Sequence, residues 1–183
     1  MSKELLAGVE RFRTEVYPEH AERFAELVNG QSPNTLFIVC ADSRIDPSLI
    51  TQTEPGEIFV VRNAGNIIAP FDPDGALDDG TAASIEYAVT ALKVKDVVVC
   101  GHSGCGAMAA LFDPTSLAAL PEMTQWVSHA GVDPEGLSLD EVVAQNVLQQ
   151  IEHLRDYPSV RDRDDINLHG WVYNIGSGEV TVL

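Results

Sequence analysis

Basic residues are scarce in this sequence, and lysine is almost absent. The chain holds 11 Lys or Arg residues against 28 Asp or Glu residues, which gives a formal net charge of −17 at pH 7. A surface of this sign repels the phosphates of nucleic acids and of anionic membranes, so we expect no nucleic-acid partner and no membrane partner. The excess of acidic residues is explained by plain solubility, and a salt-rich habitat is the alternative hypothesis.

Long apolar runs and paired cysteines are missing as well. No stretch approaches the roughly 18 apolar residues of a membrane span. Residues 1–4, which include Lys3 and Glu4, are not followed by an apolar signal segment. Three cysteines cannot all pair within one chain, which argues against a disulfide framework and for a reducing compartment. We therefore predict a cytoplasmic protein with one domain over residues 1–183, and its delivery to a microcompartment by a partner protein remains open.

Two apolar runs each lead into residue types that bind metals. Residues 35–39 precede Cys40, and residues 97–100 precede His102 and Cys105. Such runs are typical of strands that are buried in a parallel sheet, and ligands bind where neighbouring strands of such a sheet end. If the two strands are neighbours, two thiolates and an imidazole meet there, a set that zinc takes with a fourth position left open. We therefore predict one Zn²⁺ per chain at these three residues, with the remaining thiol, Cys100, in the core.

The remaining periodicities indicate an α/β fold. Helical spacing covers residues 3–29, with a break at Pro18, and returns at 82–92 and 139–154. Further strands are predicted at 57–61, 94–100, 167–175 and 179–183, the last of them antiparallel after a glycine turn. Residues 69–80, with their four aspartates, and residues 156–165 are predicted as surface loops.

Asp42 and Arg44 alternate with Cys40 along the chain. An ordinary surface ion pair would explain them. Their place between a candidate metal ligand and Pro47 instead favours a pair that serves the site, with Arg44 holding Asp42 through a charge-assisted bond. Because Asp42 lies two residues from Cys40, its carboxylate can also reach the metal.

The two metal-binding loops and three further segments together resemble the β-class carbonic anhydrases. The loops read Cys40-x-Asp42-x-Arg44 and His102-x-x-Cys105, and the further segments are residues 62–66, 84–89 and 168–173, in the family's order. The resemblance covers essentially the whole chain.

The resemblance implies a mixed sheet of four parallel strands and one antiparallel edge strand, flanked by helices. It also implies that residues 1–30 form an N-terminal helical arm that is swapped between subunits. The smallest assembly would be a homodimer, or a multiple of dimers, with the active site at the interface.

The implied activity is the zinc-dependent, reversible hydration of carbon dioxide to bicarbonate and a proton by a zinc-bound hydroxide. In this mechanism Asp42 accepts the hydroxide's hydrogen and Arg44 holds Asp42, while a closed state has Asp42 as a fourth zinc ligand. By similarity to plant-type members, Gln31, Phe71 and Tyr87 line the substrate pocket.

Three other functions use the same residues differently. A carbonyl sulfide or carbon disulfide hydrolase would share the zinc loops. A non-catalytic, zinc-stabilised interaction protein would need neither an open coordination position nor the pair of Asp42 and Arg44. A thiol redox protein would need two close cysteines and would consume a zinc ligand.

Overall fold

The fold is built on a five-stranded sheet with the strand order β2-β1-β3-β4-β5. The computed structural model describes residues 2–74 and 80–183. The strands are β1 Thr35–Cys40, β2 Ile58–Asn63, β3 Asp96–His102, β4 Asn167–Tyr173 and β5 Val180–Val182. The first four run parallel, and β5 pairs antiparallel with β4 at the edge. The predicted mixed sheet of four parallel strands and one antiparallel edge strand is therefore confirmed.

Helices flank this sheet and connect its strands. The α-helices are α1 Lys3–Arg11, α2 Ala21–Leu27, α3 Pro47–Thr51, α4 Gly80–Glu86, α5 Gly106–Ala109, α6 Pro121–Val127, α7 Leu139–Asp156 and α8 Pro158–Arg161. Short 3₁₀ turns lie at Tyr17–His20, Ala64–Asn66, Pro114–Leu117 and Ser128–Ala130, and wider π turns lie at Phe12–Val16 and Tyr87–Ala91. Among the residues that the structure describes, no helix combines the length and the apolar character that crossing a membrane requires.

The long helix α7 lies against the middle of the sheet. It begins with a capping box, in which Ser138 and Glu141 each bond the other's backbone N–H group. Glycines in β3 and β4 allow the close approach, since a Cβ atom at Gly101 would lie 2.8 Å from Val147. Val143 contacts Gly101 near the end of β3, whereas Ile151 contacts Gly170 further back, so α7 runs antiparallel to the strands.

The opposite face of the sheet carries a separate apolar cluster. It is formed by Phe37, Val39, Ile45, Val98 and Cys100, with Trp171 packed against it. Cys100 is fully buried there, as predicted for a core thiol. Burial raises the pKa of this thiol to about 12, so it stays protonated and unreactive.

The N-terminal segment, residues 3–27, is mostly exposed. Helix α2 is anchored by Arg23, whose Nε donates to the Pro55 carbonyl at 3.0 Å, and by Leu27 against Gly56. The apolar side chains of the preceding stretch are exposed, namely those of Leu5, Leu6, Val9, Phe12 and Val16. The predicted two helical pieces are present, with the break at Pro18 forming a 3₁₀ turn.

Of the two predicted surface loops, the prediction at 156–165 is wrong, and the one at 69–80 lies only partly within the described residues. Residues 156–165 are not simply a loop, because they contain α8, and Tyr157 and Val160 are both buried against the core. The prediction was wrong because these two apolar residues, three apart, turn inward from an otherwise charged stretch. Of the predicted loop at 69–80, residues 75–79 lie outside the described part of the chain.

Candidate metal centre

Two neighbouring strands bring three metal-binding side chains together. Cys40 is the last residue of β1, His102 is the last residue of β3, and β1 pairs directly with β3. Cys105 follows at the start of α5, three residues beyond His102. The ligand atoms of the three side chains lie within 4.8 Å of one another, and all three residues are buried. The neighbouring strands that the sequence prediction required are therefore present.

The His102 ring is arranged to offer a lone pair to this group. Its Nδ1 lies 3.0 Å from the Ser103 carbonyl oxygen and donates to it, which leaves Nε2 unprotonated. Nε2 is buried and has no hydrogen-bond partner. A buried lone pair without a partner is costly, and a metal ion bound by Nε2 and two sulfurs would remove that cost. Two thiolates and one imidazole suit a soft or borderline divalent metal such as zinc, and they suit calcium or magnesium poorly.

The two metal-binding cysteines differ from the core thiol in their electrostatics. A hydrogen bond from Cys105, aided by the nearby His102 ring and the Gly65 N–H group, lowers the pKa of Cys40 to about 4 against the opposing effect of burial. The same shared proton and burial raise the pKa of Cys105. Burial lowers the pKa of His102, but the Cys40 thiolate, the Ser103 carbonyl and the Asp42 carboxylate together outweigh burial and raise it. The group thus gathers negative charge that a metal cation would neutralise.

Asp42 lies beside the group and is held by Arg44. Its Oδ1 accepts from the Arg44 backbone N–H at 3.0 Å and from Nε at 2.9 Å, and its Oδ2 accepts from Nη2 at 2.7 Å. Arg44 Nη2 also donates to the Gly104 carbonyl at 3.2 Å, which ties the first metal-binding loop to the second. The hydrogen bonds from Arg44 hold the pKa of the Asp42 carboxyl well below its usual range. Asp42 Oδ2 is 3.9 Å from His102 Nε2, so the carboxylate is close to the metal-binding group.

The sequence prediction missed Arg62, which braces the first metal-binding loop. Arg62 Nε and Nη2 donate to the Cys40 carbonyl at 3.2 and 3.1 Å, and Nη2 also donates to the Asp42 carbonyl at 2.8 Å. These bonds fix the backbone on both sides of Ala41. The available signal was an arginine at the carboxyl end of β2, the strand beside β1.

The three predicted substrate residues lie away from the metal-binding group of their own chain. Gln31 is exposed in the loop before β1, at the opposite end of that strand from Cys40. Phe71 packs on Tyr157, just beyond the end of α7, with ring centroids 5.7 Å apart. Tyr87 packs on Phe59, near the start of β2, at 6.0 Å. All three therefore lie toward the amino edge of the sheet, and each is exposed.

Comparisons with known proteins agree on one family. Residues 35–180 match the family model described as carbonic anhydrase. The chain is 46% identical to a carbonic anhydrase of Synechococcus elongatus, over 97% of this chain and 70% of that protein. It is 42% identical to a carbonic anhydrase of Pseudomonas aeruginosa, over 99% of this chain and 87% of that protein.

Solved structures show the same similarity. The β-carbonic anhydrase CcaA superposes with a TM-score of 0.91 at 41% identity, over 98% of this chain and 86% of that one. The Coccomyxa β-carbonic anhydrase bound to acetazolamide gives 0.83 at 30% identity, over 99% and 85%. One of the β-carbonic anhydrases of Sordaria macrospora that are described as tetrameric gives 0.77 at 30% identity, over 98% and 95%.

The geometry predicts that Cys40, His102 and Cys105 are each needed to retain a metal ion. Cys40→Ser, His102→Ala and Cys105→Ser should each reduce the metal content well below about one ion per chain, because two remaining donors hold a metal weakly. Elemental analysis of the purified variants measures this. Cys100→Ser is the matched control and should keep its metal, since Cys100 lies outside the group. Full occupancy in one of the three variants would remove that residue from the ligand set.

Proposed function

This chain belongs to the β-carbonic anhydrase family, and from that premise we propose that it catalyses the reversible hydration of carbon dioxide to bicarbonate and a proton with one Zn²⁺ per chain. The observation that carries the proposal is the buried group of Cys40, His102 and Cys105, with an unpaired Nε2 and an arginine-held carboxylate beside it. A site that only stabilised the fold would have no use for that carboxylate.

Each residue of the site has a distinct task in this proposal. Cys40 and Cys105 as thiolates and His102 through Nε2 would hold the ion, which supplies a Lewis acid that lowers the pKa of a water molecule. Asp42 is an acceptor only, because Arg44 keeps it ionised. It can therefore accept a hydrogen from the attacking oxygen nucleophile and turn the nucleophile's lone pair toward the carbon of the substrate. Arg44 fixes the direction of Asp42 through two side-chain hydrogen bonds.

Stopped-flow hydration of carbon dioxide by protein of known zinc content tests the function. We expect turnover in proportion to bound zinc, and loss of turnover when a chelator removes the metal. Carbonyl sulfide and carbon disulfide serve as competing substrates in parallel assays. Turnover of the sulfur compounds without hydration of carbon dioxide would replace the proposal with a hydrolase on the same site. A zinc-loaded protein that turns over none of the three would be an interaction protein.

We also propose that Arg44 keeps Asp42 away from the metal. Arg44 and the metal are competing partners for one anion, since Asp42 Oδ2 lies 2.7 Å from Arg44 and 3.9 Å from His102 Nε2. A carboxylate that loses its cation turns toward the nearest positive charge. The closed arrangement, with Asp42 as a fourth ligand, would then block the position that water needs.

Replacement of Arg44 should therefore separate metal binding from activity. Arg44→Ala should keep about one zinc per chain and lose roughly 10- to 100-fold in hydration rate. Zinc X-ray absorption spectroscopy should find an added protein oxygen in Arg44→Ala, and none in Asp42→Ala, which should also lose activity. Arg155→Ala, at a similarly exposed arginine on α7, is the control. Near wild-type turnover in Arg44→Ala would reduce Arg44 to a surface charge.

We further propose that the active site is completed by a second copy of the chain. Gln31, Phe71 and Tyr87 lie toward the amino edge of the sheet, whereas the metal ligands lie at the carboxyl edge. The exposed apolar side chains of residues 3–16 and the unpaired edge of β2 are surfaces that a partner subunit would cover. The tetrameric Sordaria relatives support a homodimer, or a multiple of dimers, as the assembly.

Mixing two impaired variants tests whether Gln31 acts across the interface. Gln31→Ala damages the substrate pocket, and Cys40→Ser damages the metal site. In a mixed dimer one of the two sites receives neither lesion, so refolding an equal mixture should restore activity to about one quarter of wild type. A mixture of Cys40→Ser with His102→Ala is the control and should restore nothing, because every chain in the mixed dimer then carries one damaged ligand of its own metal site. No recovery in the first mixture would place Gln31 outside the partner's site.

A cytoplasmic location is the remaining part of the proposal. All three cysteines are free thiols in the structure, and two of them belong to the metal-binding group. Thiol ligands need a reducing environment to stay available to a metal, which the cytoplasm provides.

A further inference from the structure

The Gly65 N–H group points at one of the metal-binding sulfurs. It donates to Cys40 Sγ at 3.3 Å, from the short turn Ala64–Asn66 that follows β2. Gly65 has a φ of 81°, and a Cβ atom there would lie 2.9 Å from Ala107 Cβ. Only glycine fits this conformation and this space, so the backbone can approach the sulfur closely.

The peptide that contains this N–H group has its other end bound to Trp126. Gly65 N–H and the Ala64 carbonyl belong to the same peptide unit. The Ala64 carbonyl accepts from Trp126 Nε1 at 2.8 Å, so an unbroken chain of hydrogen bonds runs from the indole N–H through the peptide to Cys40 Sγ. Trp126 lies on α6, far from Cys40 in sequence, and no contact of its own with the metal-binding group is needed.

The next peptide is fixed as well, by a buried side chain from α7. The Gly65 carbonyl accepts from Asn146 Nδ2 at 3.0 Å, and Asn146 Oδ1 in turn accepts from Gln150 Nε2 at 2.9 Å. Both side chains are fully buried. Asn146 therefore holds the peptide that follows Gly65, and the bond from Trp126 orients and polarises the peptide that precedes it.

We propose that Trp126 is a positioning residue for Cys40, acting through the peptide between Ala64 and Gly65. A hydrogen bond to a carbonyl polarises its peptide and strengthens the bond that the N–H group at the other end donates. A stronger N–H bond to the sulfur withdraws charge from the thiolate, which then donates less charge to a bound metal. Trp126 would thus tune the metal through a neutral contact. This inference rests on the proposed metal site, although the hydrogen-bond chain can be tested without activity.

Removal of the indole N–H group while the ring is kept tests the proposal. In Trp126→Phe we expect the Gly65 amide proton to exchange with solvent about fivefold faster, because its bond to Cys40 Sγ weakens. We also expect the sulfur-to-metal charge-transfer band of the cobalt(II)-loaded protein to move to longer wavelength. Trp171→Phe is the matched control, since Trp171 packs on the opposite face of the sheet and should change neither quantity.

A second replacement covers the case in which Trp126→Phe does not fold. Benzothienylalanine has the shape of tryptophan with sulfur in place of the N–H group. Incorporated at tryptophan positions in a Trp171→Phe background, it replaces Trp126 alone, because the chain has two tryptophans. The same faster exchange and band shift are expected, with the oligomeric state in solution unchanged.

The outcomes separate this proposal from the proposed function. Unchanged Gly65 exchange and an unchanged cobalt band in a folded variant would overturn the role of Trp126, whatever the enzyme's turnover. Absence of carbon dioxide hydration in the wild-type protein would overturn the function and would leave the exchange result standing.

Discussion

The structure depends on the cost of burying two sulfurs and an imidazole in one place. The ligand atoms lie within 4.8 Å of one another, and Nε2 of His102 has no partner. Folding without a cation would concentrate thiolate charge and leave a buried lone pair without a partner, so a bound cation would stabilise this arrangement. Two backbone groups bond to it accordingly, the Ser103 carbonyl to the imidazole and the Gly65 N–H group to a sulfur, while the Arg62 side chain braces the first loop.

The same constraint explains why a half-exposed arginine matters. A surface ion pair contributes little to stability, and Arg44 has an exposed side chain. Its proposed importance is that it competes with a metal ion for the Asp42 carboxylate. A carboxylate near a cation-binding group takes whichever positive partner is better placed, and two parallel hydrogen bonds to a guanidinium define one placement sharply. In the proposed mechanism Arg44 would therefore act on the chemistry while contributing little to the fold.

Much of the fold and of the candidate ligand set was predictable from sequence, because both depend on local patterns of residues. Apolar runs predicted the strands, and Cys40, His102 and Cys105 follow two of them directly. Arg62, Gly65 and Trp126 were not predictable, because each acts through a backbone group that only the tertiary structure brings near. Tyr157 and Val160 are buried, but they were assigned to a surface loop because most of their neighbours in sequence are charged. Gln31, Phe71 and Tyr87 were predicted as substrate residues through family resemblance alone, and no pattern in one chain connects them to the ligands.

The absence of a sequence pattern that connects Gln31 to the ligands of its own chain follows from the geometry of a parallel sheet. Cys40 and His102 are the last residues of β1 and β3, at the carboxyl edge of the sheet. The loop that precedes each of these strands lies a strand length away, at the amino edge. For the six residues of β1 this separation is about 20 Å, far beyond the reach of a glutamine side chain. In the structure Gln31 therefore does not reach the ligands of its own chain. If the residue acts on substrate at all, it acts in another copy, so assembly would be a requirement of the chemistry and not an addition to it. The exposed apolar side chains of residues 3–16 would then be the part of the chain that stabilises such an assembly.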